Sequence, residues 1–549
     1  MRTWMQWLAA IGLTGGSVAG AQQVGATVAL APLAGPNYTP APGQAGLQFY
    51  GTDLGYTFTH DGELRILFGD TLITDALVPL LNDDAQGTLP FARCPGGREV
   101  DRFVRENAPP DSVWWQRIGP PLDFATLSAE QLSFIEVALG GFPLTMTGLQ
   151  TPIGAFSDGR DHAFGVFNRT DPAECNAAAA DPGCGPGLTC DDGFGVCDAL
   201  PFERPCLLGI PSPGQGSCPE GSSCLPIGGY CRDETSSVDD GTVLGRFLSL
   251  AQSIQIGAAD ATRAEHYRAT PWVTNKFINL ALRTVDDFNP ARRYGIGNDY
   301  RAADGRARSR EQVFVWGRPN FVGSKQQGRE AQLYFMVADM PRVDASGAPT
   351  WAPRYFTGVG PRGVPRFSPD PTQAIPLDLA NGQADPHEPV DIINQMTVSW
   401  VPALGKWVML YGGDLDPLIA AVFNFGAVRD PDGAIHVRFA DQPWGPWTQA
   451  EPLLRGGNPY LPTLDQQYAE GGLLFHPACT GPDCIAGDAR RASDPSLQPY
   501  GRLYGPNIID CWTESRGNQV DLYWNVSTWN PYQVALIKTR ITRGHGRTR

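Results

Sequence analysis

The chain has 549 residues, 42% of them hydrophobic, with 14 tryptophans, 25 phenylalanines and 16 tyrosines, and a formal net charge of −15. That apolar content suffices for a large core, while 64 glycines and 49 prolines interrupt almost every candidate helix and direct the reading to an all-β class. The negative balance argues against a nucleic-acid partner, which requires concentrated Lys and Arg.

Along the chain, Met1-Arg2 is followed by an apolar stretch from Trp4 to Leu13 and by small residues ending in Ala19-Gly20-Ala21. Charge, apolar stretch and small-x-small in that order predict a secretory signal peptide over 1–21, with the mature chain running 22–549. The apolar part is shorter than the roughly 20 residues a membrane-spanning helix needs, and no later run reaches that length. The expected protein is a secreted, periplasmic or cell-surface monomer without a membrane span.

The first hairpin runs from Phe49 to Phe58, turns at Asp61-Gly62 and returns over Leu64 to Phe68. Asp-Gly between apolar strands is a strong short-range turn signal. With those two as the loop residues, His60 faces Glu63 and Asp53 faces Asp70. Directly opposed residues have Cβ atoms roughly 4.5–5.5 Å apart, so this register predicts a carboxylate pair and makes Asp53 and Asp70 the candidate catalytic residues. Asp at a strand end also serves simply as a turn cap. Asn82 to Pro121 reads as a loop and Ser128 to Ala138 as a helix.

Eight of the 12 cysteines lie between Cys175 and Cys231, a Gly/Pro-rich stretch without histidine or C-x-x-C pairs. In an exported chain this composition predicts a disulfide-stapled insertion over 175–231 rather than a zinc site. Cys479 and Cys484 are expected to pair locally, leaving Cys94 and Cys511 to join distant parts of the chain.

One pattern recurs: an apolar strand, an aromatic residue, then Gly or Asn. Its aromatic positions are Phe68, Phe167, Trp316, Tyr411 and Trp524, at intervals of 99, 149, 95 and 113 residues. Without the 57 residues of the cysteine-rich stretch the long interval shortens to 92, and five comparable units predict a five-bladed β-propeller. Pro-rich Ser346 to Gln383 reads as a long loop. Asn394 to Val401 and Trp407 to Tyr411 form a second hairpin.

Further polar clusters are His387-Glu388-Pro389-Val390-Asp391, followed by Asn394-Gln395, and Gly412-Gly413-Asp414-Leu415-Asp416. With Tyr504 and Asn507, they provide the candidate substrate contacts Glu388, Asp391, Gln395, Asp414, Tyr504 and Asn507. Trp512, Trp524 and Trp529 are candidate stacking platforms for sugar rings. No G-x-S-x-G, Walker loop or H-E-x-x-H is present. What remains is carboxylate chemistry, the usual basis of glycoside hydrolysis. No cofactor or metal site is expected; calcium would suit the Asp-rich loops, yet none has the ligand spacing of a calcium loop.

Gly51-Thr52-Asp53-Leu54-Gly55 followed by Leu67-Phe68-Gly69-Asp70-Thr71 resembles the opening of a secreted bacterial family of five-bladed propellers that includes endo-D-arabinanases. The resemblance continues at Val313-Phe314-Val315-Trp316-Gly317-Arg318-Pro319, from Met396 to Tyr411, at Pro443-Trp444-Gly445-Pro446-Trp447, and at Tyr504-Gly505-Pro506. It ends with Ser527-Thr528-Trp529-Asn530-Pro531-Tyr532-Gln533-Val534. It implies cleavage of α-linked D-arabinofuranosyl chains, with the opening aspartates in the site. The chain departs from that family's pattern in its cysteine-rich insertion and in Gln395, where an acidic residue is expected. A non-catalytic carbohydrate-binding propeller is the competing expectation, and an interaction protein using the stapled insertion is a third.

Overall fold

The computed structural model describes residues 22–35, 38–45, 51–60, 63–71, 83–89, 96–108, 112, 116–127, 150–158, 162–169, 189–191, 196–198, 222–224, 231–233, 241–247, 253–254, 267–271, 277, 279–285, 312–318, 333–345, 349–360, 364–379, 395–412, 434–455, 502–529 and 533–544. Within them the chain is mostly β, and the one α-helix is Gly97–Asn107. The expected signal peptide and the expected helix at Ser128 to Ala138 lie outside the described residues.

Five sheets have four or five strands each. Their first strands are Leu54–His60, Gln150–Ser157, Asn279–Val285, Met396–Val401 and Arg502–Ile508. Each packs beside the next, and the last packs against the first, so the sheets stand around a ring in a propeller-like arrangement. Strand Gln23–Ala34 pairs antiparallel with Gln533–Thr542 and completes the fifth sheet.

The core follows this arrangement. Five clusters of buried side chains each fill the gap between two neighbouring sheets. Val313 and Val315 face the second sheet, while Phe314 and Trp316 face the fourth. A strand buried on both faces has no polar side to show, so its sequence reads as a continuous apolar run rather than an alternating one. That is the physical origin of the recurring motif. Phe68, Phe167, Trp316, Tyr411 and Trp524 are all fully buried, and each lies on the second strand of a different sheet. Four of them face the preceding sheet around the ring, whereas Trp316 faces the following one, a one-residue offset within the motif.

Two expected loops are partly regular. Asn82 to Pro121 contains strand Asp83–Leu89 and the helix, and the Pro-rich segment contains Pro353–Val359 and Pro365–Ser368, the outer strands of the third sheet. Each of the latter two strands begins on its proline, a position where the missing N–H does not break the ladder. On the helix, Gly97, Val100 and Val104 are the buried positions. A Cβ at Gly97 would stand 2.1 Å from the Tyr523 ring, so only glycine allows this approach. In the cysteine-rich stretch, Thr189–Asp191 pairs with Val196–Asp198, and Ser222–Cys224 pairs with Cys231–Asp233.

Candidate functional site at the strand openings

The expected register of the first hairpin holds only in part. Asp61 and Gly62 lie outside the described residues, and pairing runs as expected from His60–Glu63 to Tyr56–Leu67. There a bulge intervenes, and Leu54 pairs with Phe68. The backbone shows the cause: Leu54 has φ 63° and Gly55 φ 89°, two consecutive left-handed residues. For leucine this conformation costs about 1–2 kcal/mol. Neighbours in the fifth sheet hold it, since Asn525 Nδ2 donates to Gly55 O at 2.8 Å and Ser527 Oγ donates to Leu54 O at 3.2 Å.

Asp53 therefore does not oppose Asp70. The Gly69 N–H donates to Asp53 O at 3.1 Å, and a second irregularity at Gly69 places Asp70 opposite Asp84 of the next strand. The Asp53 carboxylate lies over Gly69, where an added Cβ would come within 2.3 Å of Oδ1. Tyr504 Oη donates to Asp53 Oδ2 at 2.8 Å. Thr71 donates its single hydroxyl proton to Gly69 O at 2.9 Å, so the 2.9 Å contact between Thr52 and Thr71 takes its proton from Thr52. Asp53, Tyr504 and Asp84 are all buried.

Tyr56 and Arg318 complete the cluster. Burial first, then the negative charge of Asp53, push the Tyr56 phenol well above its usual range, and Arg318 opposes this. Burial lowers Arg318 to about 10, with Tyr56 acting in the other direction, so the guanidinium stays charged at neutral pH. Tyr56 is on the first sheet, Tyr504 on the fifth, and Arg318 on the third, opposite Asn279. The Tyr56 hydroxyl has no hydrogen-bond partner among the described residues. A buried carboxylate, a buried cation and a buried phenol whose hydroxyl has no partner among the described residues form a polar cluster able to polarise a hydroxyl group that reaches it.

Two residue pairs define the strand directions. Tyr504 meets Asp53, and three residues on, Asn507 Oδ1 accepts from Thr57 N at 3.0 Å and from Thr57 Oγ1 at 2.6 Å. The first strands of the first and fifth sheets thus run the same way, and the Asp53 cluster sits where they begin. Towards the other end, His60 Nδ1 and Ser157 Oγ are 2.7 Å apart. Asp510 there accepts from Ser399 and pairs with Arg283.

Of the other expected contacts, Tyr504 is in the cluster, whereas the Asn507 amide oxygen is occupied in joining two sheets. Gln395 precedes the first strand of the fourth sheet, is buried, and has no partner for Oε1 among the described residues. Glu388, Asp391 and Asp414 lie outside the described residues. Trp512 and Trp524 are fully buried core residues and offer no ring face to a sugar. Sequence reasoning missed Tyr56, Asp84 and Arg318. A usable signal existed for Arg318, a charge directly after the apolar run Val313-Phe314-Val315-Trp316-Gly317. Among the described residues no group of three or more His, Cys, Asp or Glu side chains is placed to hold a metal ion. No described helix is long and apolar enough to cross a membrane.

No family model matches the chain, and no curated protein does. Among solved structures it is similar to a GH43_1 enzyme from Xanthomonas citri, at 8% identity and TM-score 0.30, over 93% of this chain and 91% of that one. The same enzyme complexed with xylotriose matches at 9% identity and TM-score 0.31, over 93% and 90%. A mutant of Trypanosoma rangeli sialidase displaying trans-sialidase activity matches at 9% and 0.32, over 95% of this chain and 60% of that one. Superpositions at this level assign neither a site residue nor a substrate to this chain.

Proposed function

We propose that the chain is a secreted glycoside hydrolase, a five-bladed propeller in which each large sheet is one blade, acting on a furanoside polysaccharide of the α-linked D-arabinan class. The observation that carries the reading is the buried Asp53 carboxylate. It is held by Tyr504 at 2.8 Å at the opening of the first strands, within electrostatic reach of Tyr56, which in turn interacts with the buried Arg318. Glycoside hydrolysis needs one carboxyl group to protonate the leaving oxygen and a second to act as base or nucleophile. Asp53 is one of these, and Asp70, across the ladder from Asp84, supplies the other. The Tyr56 hydroxyl and Gln395 Oε1 are partners for sugar hydroxyls.

The reading includes a disulfide-stapled insertion. Its support is the register: Cys190 is opposite Cys197, and Cys224 is opposite Cys231. Opposed residues in antiparallel ladders have Cα atoms roughly 4.5–5.5 Å apart, within the span a disulfide bridges. Cys511, beside buried Trp512, is disulfide-bonded.

The test is release of oligosaccharides from arabinogalactan or lipoarabinomannan by the parent and by Asp53→Asn, which keeps the shape and removes the proton-transfer group. The parent should release fragments, and the variant should lose about 100- to 10,000-fold in turnover with circular dichroism unchanged. Binding without release by the parent would favour a non-catalytic carbohydrate-binding propeller. Full activity in the variant would move the chemistry away from Asp53.

A further inference from the structure

A cavity of about 490 Å³ opens between the helix Gly97–Asn107 and the strands Gln23–Ala34 and Gln533–Thr542, and it shares no residue with the Asp53 cluster. Its size lies within the range of small-molecule sites. In a chain of net charge −15, its lining is strongly basic: Arg105, Arg117, Arg516 and Lys538 face Asp101 as the one described acidic residue.

The four cations are not equivalent. Lys538 Nζ donates to Asp101 Oδ2 at 2.8 Å, and Arg516 Nε pairs with Asp521 Oδ2 at 2.9 Å. Arg105 and Arg117 bond backbone carbonyls instead. Arg105 Nε donates to Asp101 O at 3.2 Å, and Arg117 Nη1 donates to Ala29 O at 2.9 Å. Among the described residues neither has a carboxylate partner. The strand carbonyls fix the Arg117 fork before any ligand arrives, so little side-chain freedom is lost on binding. Beside these charges, Leu30 and Val104 form an apolar wall. A solvated salt-bridge face would pair its arginines with carboxylates, and this one leaves two guanidinium groups over a concave surface.

We propose that this cavity binds an anionic ligand, a carboxylate or phosphate carried on a ring-sized body. Arg105 and Arg117 take the oxygens, and the carbon skeleton lies on Leu30 and Val104. Guanidinium suits both oxyanions because its donors match their paired oxygens. The proposal does not depend on the glycosidase reading, since the site lies apart from Asp53.

The test is equilibrium dialysis of the full chain against glucuronate, inorganic phosphate and, as the neutral control, glucose. Arg105→Gln changes an exposed helix residue whose one bond is within its own helix, so folding is preserved. Saturable binding of an anion that weakens with added salt, about tenfold or more weaker in R105Q and weaker again in the R105Q/R117Q double variant, is the expected result. Tighter binding of glucuronate assigns an acidic sugar as ligand, and tighter binding of phosphate assigns a phosphorylated one. Absence of saturable binding for both anions, unchanged binding by R105Q, or equal uptake of glucose would overturn the proposal.

Discussion

Gly69→Ala gives the sharpest check on the geometry of Asp53. The substitution adds one methyl group at a position without a positive φ, so the backbone tolerates alanine and the penalty comes from contact alone. The new Cβ would lie 2.3 Å from Asp53 Oδ1 and 2.7 Å from Leu54 Cδ1, where ordinary contact begins at 3.4 Å. Leucine can rotate its terminal methyl aside. The carboxylate is anchored by Tyr504, so it must withdraw by about 1 Å, at an overpacking cost of about 1–3 kcal/mol. A misplacement of that size near reacting atoms costs about 100-fold in rate. Urea denaturation reads the first effect and oligosaccharide release the second. In an Asp53→Ala background the stability cost should largely vanish, because the two changes act on one contact. A Gly69→Ala protein with the parent's denaturation midpoint and activity would refute the placement of Asp53 over Gly69.

Two further outcomes follow from the packing. Trp316→Ala removes a fully buried indole whose Nε1 donates to Pro443 O at 2.7 Å, and should lower stability by about 3–5 kcal/mol, read from the urea midpoint. Burial disfavours the Asp521 carboxylate, but the hydrogen bond and charge of Arg540, with Arg516 and Lys538, hold it below its usual range. A depressed folded-state value means stability that is present above the unfolded value, about pH 4, and lost as pH falls through the folded one. Asp521→Asn should therefore cost about 2 kcal/mol at neutral pH, less than the roughly 3–5 kcal/mol of a fully dry pair because Arg540 is 41% exposed. The gap to the parent should begin to narrow as pH falls below about 4 and keep shrinking toward the lower folded-state value, and a gap that did not narrow at all would show that charge is not its source.

The parts of the fold legible in the sequence are those where burial writes a pattern. Both faces of each second strand are covered, so the five motifs appear as apolar runs ending in an aromatic residue. The one-residue offset at Trp316 leaves no mark, because Val315 and Trp316 are equally apolar. The pairing of His60 with Glu63 was legible from the residue types between them alone. The bulge at Gly55 was not, since leucine carries no preference for φ 63° and the segment offers a glycine on either side of Asp53. Counting back from the turn therefore paired Asp53 with Asp70 instead of bringing it over Gly69. The bond from Tyr504 spans 451 residues, and only the closed ring of first strands brings the two together. Trp512 and Trp524 were read as platforms because aromatic residues suit core and sugar alike, and local sequence does not say which face is covered.

The strand Gln23–Ala34 has a consequence for the order of assembly. Its partner Gln533–Thr542 lies about 500 residues further along the chain, so this segment is without that partner until those residues have been made. The entropy of closing so long a loop is modest, about 2 kcal/mol more than for a loop a tenth as long. Loop closure must precede the contacts that reward it, so pairing of such distant strands is intrinsically slow. Interactions absent from the transition state leave the rate of folding alone and slow unfolding. If the strand that completes the fifth sheet pairs after the barrier, variants that weaken it will speed unfolding and leave the folding rate unchanged, a difference read from the two arms of a denaturant chevron.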